Sequence, residues 1–141
     1  MKIRGFVVAF LAVALSFAPQ FVNTSNAASG YSAQLISPMA GQVLYSGQRV
    51  RVEWRSILPP INLGACEMEV WLSLDGGRTF TSIISPWMDP KAQYFYWTVP
   101  NTPTKQAVLD IRFGCEPGYP ESYAPQPASM FTIAQSGVPT Y

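Results

Sequence analysis

Apolar residues recur at every second position through most of the chain beyond residue 27, and no stretch there carries the 3.6-residue stripe of an amphipathic helix. Val50, Val52 and Trp54 alternate with Arg49, Arg51, Glu53 and Arg55, while Met68, Val70, Leu72 and Leu74 alternate with Glu67, Glu69, Trp71 and Ser73. Phe95, Trp97 and Val99 share one face opposite Tyr94, Tyr96 and Thr98, and Pro100 ends that run. Leu109, Ile111, Phe113 and Cys115 lie opposite Asp110 and Arg112. Asp75-Gly76-Gly77 supplies a hairpin turn with Thr79 to Ile84 returning, Gln34 to Ile36 opens the set, and Phe131 with Ile133 closes it. Seven short strands, each apolar on one face, bury that face by packing sheet on sheet, which predicts an all-β sandwich.

The first residues follow a different rule. Lys2 and Arg4 precede an apolar run from Phe6 to Ala18, and a polar stretch from Gln20 ends in Ser25-Asn26-Ala27. This order is that of a secretory signal peptide. The run is shorter than the roughly 20 residues a membrane-spanning helix needs. The expected organisation is a signal peptide over 1–27, a lead-in over 28–33, the sandwich over 34–134 and a tail over 135–141, with no membrane span after cleavage and a secreted or periplasmic destination. Export into an oxidising compartment favours pairing of the only two cysteines, Cys66 and Cys115.

Pro38, Gly41 and Gly47, the Val50-Val52-Trp54 strand, Leu72-Ser73-Leu74-Asp75-Gly76-Gly77, Tyr96-Trp97-Thr98-Val99-Pro100 and Phe131-Thr132-Ile133 together resemble the immunoglobulin-like or fibronectin type III-like modules of secreted and cell-surface proteins. The resemblance runs from Gln34 to Ala134. It implies that the strands beginning at Cys66 and ending at Cys115 are antiparallel neighbours in one sheet, so that the two cysteines meet. Two departures stand out. Leu109, Ile111 and Phe113 occupy the strand in which fibronectin modules usually carry a tyrosine, and Trp54 stands where antibody-type domains place one cysteine of their bridge. Ser73 to Phe80 is also similar to the Asp-box hairpin of sialidase propellers, but a single copy in 141 residues cannot make a propeller. Its expected role is local, with Asp75 accepting backbone hydrogen bonds and Phe80 packing inward.

The composition excludes several chemistries. There is no histidine, so no histidine-based nucleophile pair or metal site exists. Glu67 and Glu69 are the nearest thing to a catalytic carboxylate pair, but they share an outward strand face with no cleft implied, and the acidic residues do not cluster for a metal. No enzyme activity, cofactor or metal is expected. Loss of Lys2 and Arg4 with the signal leaves seven basic against eight acidic residues, which gives no footprint for nucleic acid.

A binding surface is expected at the end of the sandwich where the long connections gather. These carry Leu58 and Ile61, then Trp87, then Tyr119 and Tyr123 among several prolines. Prolines lower the ordering cost of binding, and Trp and Tyr often dominate interface energy. The alternative face is the outer side of the sheet holding Tyr94 and Tyr96 beside Arg49 and Arg51, where tyrosines could stack on a glycan. The expected function is a noncatalytic recognition or assembly module for another protein at the cell surface or in the periplasm. A carbohydrate-binding module is the alternative. The Ser25-Asn26-Ala27 site predicts a mature chain beginning at Ala28. Intact-mass measurement of the exported protein checks it, and a mass that retains residues 1–27 contradicts it.

Overall fold

The computed structural model describes residues 30–137; the expected signal peptide and the Ala28 start lie outside the described residues. Nine strands form among them: β1 (Ser32–Ser37), β2 (Val43–Tyr45), β3 (Arg49–Ile57), β4 (Cys66–Ser73), β5 (Ser82–Ile83), β6 (Tyr94–Thr98), β7 (Thr104–Cys115), β8 (Tyr119–Ser122) and β9 (Phe131–Ala134). No α-helix occurs among the described residues. One sheet has the order β1-β3-β6, and the other runs β2-β9-β7-β4-β5 with β8 also paired to β7. The result is an all-β fold of sandwich type.

Two strands exceed the seven expected from sequence. β2 spans three residues with only Leu44 buried, too short for its period to register, and it pairs in parallel with β9. β8 contains Pro120, which argues against a strand except at an edge, and β8 is such an edge on β7. The opening strand also starts earlier than expected, and Tyr31, just before it, is buried with its hydroxyl donating to the Ile111 carbonyl at 2.9 Å. Burial, and then the nearby Asp110 carboxylate, push the Tyr31 phenol well above its ordinary range.

The core is made by the inward rows of both sheets: Val52, Trp54, Phe95 and Trp97 from one, and Met68, Val70, Leu72, Leu109, Ile111, Phe113, Phe131 and Ile133 from the other. Aromatic contacts join the layers. Trp97 meets Phe131 edge-on at 6.5 Å, and Tyr31 stacks on Phe113 at 5.2 Å. The Gln126 side chain closes one margin: its amide nitrogen donates to the Ala33 and Ala124 carbonyls and its oxygen accepts from Leu35 N–H. The free side of β1 is thereby tied to the segment lying on β7.

Burial departs from the expected alternation at the end of β4. Leu74, expected inward, is 36% exposed, and Ser73, expected outward, is fully buried. Ser73 ends β4, and its hydroxyl donates to Asp75 Oδ1 at 2.7 Å while accepting from Gly77 N–H at 2.9 Å. Gly76 and Gly77 supply the positive φ angles the turn needs. The Asp75 carboxylate accepts from the Arg78 and Thr79 amides and the Thr79 hydroxyl. Amides bonded to a carboxylate are not available to a partner strand, which is why the expected return over Thr79 to Ile84 shortens to Ser82–Ile83. Phe80 does not enter the core. It lies on the outer face, where Gly77 packs between its ring and Val108. The Thr79 amide first, then the Ser73 and Thr79 hydroxyls, hold the Asp75 carboxyl well below the usual carboxylate range. Its stabilising contribution is therefore complete above the ordinary carboxylate pKa and lost only in strong acid.

Cys66 stands directly opposite Cys115 in the β4–β7 ladder, and the two are joined by a disulfide across a sequence separation of 49. Chain entropy assigns a loop of that length about 4 kcal/mol. Cys66→Ser/Cys115→Ser should lower unfolding free energy by about 2–4 kcal/mol, read by denaturant titration. A loss below about 0.5 kcal/mol would contradict a structural role.

Candidate functional site

The outer face of the β4–β7 pair forms the candidate site. Because side chains alternate, the row opposite the core presents Glu67, Glu69 and Trp71 from β4, and Asp110, Arg112 and Gly114 from β7. Two walls rise beside it. On the β4 side, Ile83 pairs with Trp71, and Met68 exchanges backbone hydrogen bonds with Met88. Met88 packs against the core, so the preceding Trp87 turns away from it and is 77% exposed. On the β7 side, Tyr119 pairs with Cys115 and brings Glu121 beside Gly114. The groove between them has a volume of about 690 Å³ and is lined by Trp71, Ile83, Trp87, Tyr119, Cys115, Gly114 and the glutamates 67, 69, 116 and 121, with Arg112 in its floor. That size falls in the range of ligand sites. The sequence reading of this face as an open surface without a cleft is corrected: the wall comes from β8, which Pro120 within it concealed.

The charges here are unequal. Four glutamates line the groove against one arginine. The Arg112 charge is moreover already compensated: Nε donates to Asp110 Oδ2 at 2.8 Å, and its guanidinium lies 3.6 Å from Glu121 Oε1. It also stacks 4.2 Å over the Trp71 ring and 4.8 Å over Tyr123. The Trp71 indole N–H donates to Glu69 Oε2 at 3.0 Å, fixing both side chains. Among the described residues, Glu67 and Glu116 form no ion pair. Gly114 puts no side chain on the floor, and a Cβ there would make only an ordinary contact with Glu121 Cα at 3.5 Å. Among the described residues, no group of three or more His, Cys, Asp or Glu is placed to hold a metal.

Of the five residues assigned to one loop end, the structure brings Trp87 and Tyr119 together as opposing walls of this groove. Tyr119 is partly buried and meets Phe113 edge-on at 5.4 Å. Tyr123 sits over Arg112, its hydroxyl donating to Glu121 Oε2 at 3.1 Å, and that carboxylate raises the phenol above its ordinary pKa. Leu58 packs against the core, whereas Ile61 is exposed; neither lines the groove. On the alternative face, Arg49 covers Tyr96 at 4.9 Å and Arg51 covers Tyr94 at 4.0 Å, the diagonal neighbours of an antiparallel pair. The two tyrosines also meet edge-on at 6.1 Å, and Arg51 pairs with Glu53. Sequence alone marked Glu67, Glu69, Trp71 and Trp87, but gave no signal for Gly114, Glu116 and Glu121.

No family model matches this chain, and no curated protein is similar enough to count as a relative. The functional reading rests on the groove.

Asp110 anchors the groove floor from beneath, at 2% exposure, and accepts from Arg112 and from the Ala124 amide. Burial raises its pKa, against the lowering by Arg112 and Ala124. A carboxyl raised in the fold contributes less as pH climbs through its folded pKa, yet deleting it is worse than keeping it, because the Ala124 amide loses its acceptor and Arg112 keeps only the longer contact to Glu121. Asp110→Ala should cost about 3 kcal/mol of unfolding free energy at neutral pH. Chemical denaturation reads this directly, and a change under about 1 kcal/mol would show that the pair does not organise the face.

Proposed function

We propose that this chain is an exported, noncatalytic recognition module of the immunoglobulin-like or fibronectin type III-like class that binds another protein through the groove over β4 and β7. The observation that carries the reading is the pairing of an exposed Trp87 wall with a Tyr119 wall across a floor braced by the Cys66–Cys115 bridge. Rigid aromatic walls supply contact area with little ordering cost. The strand order supports the class: the first, third and sixth strands share one sheet, and β4 neighbours β7 as the resemblance implies. The disulfide is compatible with export, and among the described residues no helix is long and apolar enough to cross a membrane. We favour a protein partner over a glycan at the second face because arginines already cover the Tyr94 and Tyr96 rings.

Trp87 is too exposed to support the core, so Trp87→Ala should leave unfolding free energy within about 0.5 kcal/mol of the parent. The same variant should weaken partner capture by about 1 kcal/mol or more. Crosslinking with mass spectrometry in the native envelope, followed by titration of the captured partner, measures this. Crosslinks that avoid the groove, or affinity unchanged in the variant, would refute the assignment. Tyr119→Ala is the poorer probe, since its ring also packs on Phe113.

A further inference from the structure

We infer that the groove over β4 and β7 selects an extended, basic segment of its protein partner, one whose lysine or arginine side chain lies against Trp87 among Glu67, Glu69 and Glu116. This rests on the reading of the groove as a protein-binding site and names the chemistry of its occupant. Charge complementarity carries it. Among the described residues, the four lining glutamates face only Arg112, and that arginine is held by Asp110 and Glu121, so the carboxylates of Glu67 and Glu116 have no cation of their own there. A neutral sugar would offer them hydroxyl donors but no opposite charge, and an acidic segment would be repelled. A guanidinium or ammonium answers both the carboxylates and the exposed indole face.

The dimensions suit a peptide. The walls stand on the strands outside β4 and β7, three strand spacings apart, or about 14 Å. This admits one extended chain with its side chains. The protein uses the same pairing internally: Arg112 over Trp71, Arg51 over Tyr94 and Arg49 over Tyr96. Among the described residues, no arginine stacks on the exposed Trp87 ring.

The test is a displayed library of random ten-residue peptides, panned against the exported chain and counter-screened against Gly114→Leu, whose side chain would fill the floor. Peptides that bind the parent and not Gly114→Leu should be enriched in lysine and arginine. Their affinity should fall about tenfold or more in Glu67→Gln/Glu69→Gln and weaken with added salt. Should Gly114→Leu lower the unfolding midpoint, Trp87→Ala serves the same counter-screen. Groove-dependent peptides without basic enrichment would overturn the inference and leave the protein-binding reading standing. A library with no groove-dependent peptide would overturn both. Reversible dimerisation of the chain that Gly114→Leu abolishes would assign the groove to a second copy and overturn the separate basic partner.

Discussion

The antiparallel ladder between β4 and β7 organises everything else. Its register runs unbroken from Cys66 opposite Cys115 to Ser73 opposite Val108. Because side chains alternate, one ladder sets two surfaces at once: Met68, Val70, Leu72, Leu109, Ile111 and Phe113 enter the core, and Glu67, Glu69, Trp71, Arg112 and Gly114 line the groove. A slip by one residue would exchange the two sets and destroy both. The disulfide pins this register at the end where the groove opens between Ala65, Cys115 and Tyr119.

The outer face of the ladder is layered by burial. Near the hairpin, Ser73, Val108 and Asp110 are nearly inaccessible, covered by the Asp75 turn and by the segment leading to Gln126. Toward the disulfide the cover stops, and Glu67 and Glu116 are exposed. Arg112 marks the boundary, joined to buried Asp110 on one side and exposed Glu121 on the other. A buried pair of this kind adds little net stability, but it fixes where the covered part of the face ends and the groove begins.

Alternation made the inward rows of β3, β4, β6 and β7 legible from sequence, because each buries one face over four or more residues. The cysteine pairing was legible for the same reason: both fall on one parity at strand ends that the resemblance makes neighbours. What escaped were features set by partners distant in sequence. Leu44 gives β2 a single buried residue, and its pairing with β9 is parallel and nearly ninety positions away. Pro120 concealed β8, and with it the wall that turns an exposed row into a groove. Ser73 and Leu74 departed from the expected burial because a hydroxyl and a carboxylate claimed backbone amides that a longer hairpin would have used, and the resulting turn covers the outer face at Ser73. A period-two pattern reports which residues face a core and is silent on what lies over the opposite face.

The two outer faces of the sandwich use the same residue types to opposite effect. On β3 and β6, Arg49 and Arg51 each lie over a tyrosine within their own sheet, and Arg51 meets Glu53, so both rings are covered internally. Such a face is stable when bare and has little to gain from a ligand, since a partner must first displace contacts already made. In the groove the balance is reversed. One arginine is shared among Asp110, Glu121, Trp71 and Tyr123, while Trp87 and two glutamates remain outside that network. Exposed carboxylates beside an aromatic wall are well solvated and cost the free protein little, yet they gain most when a cation arrives and water leaves, because attraction strengthens as the local dielectric falls. The difference in what a partner would gain at each face, rather than the number of aromatic residues on it, distinguishes the proposed binding surface from the structural one.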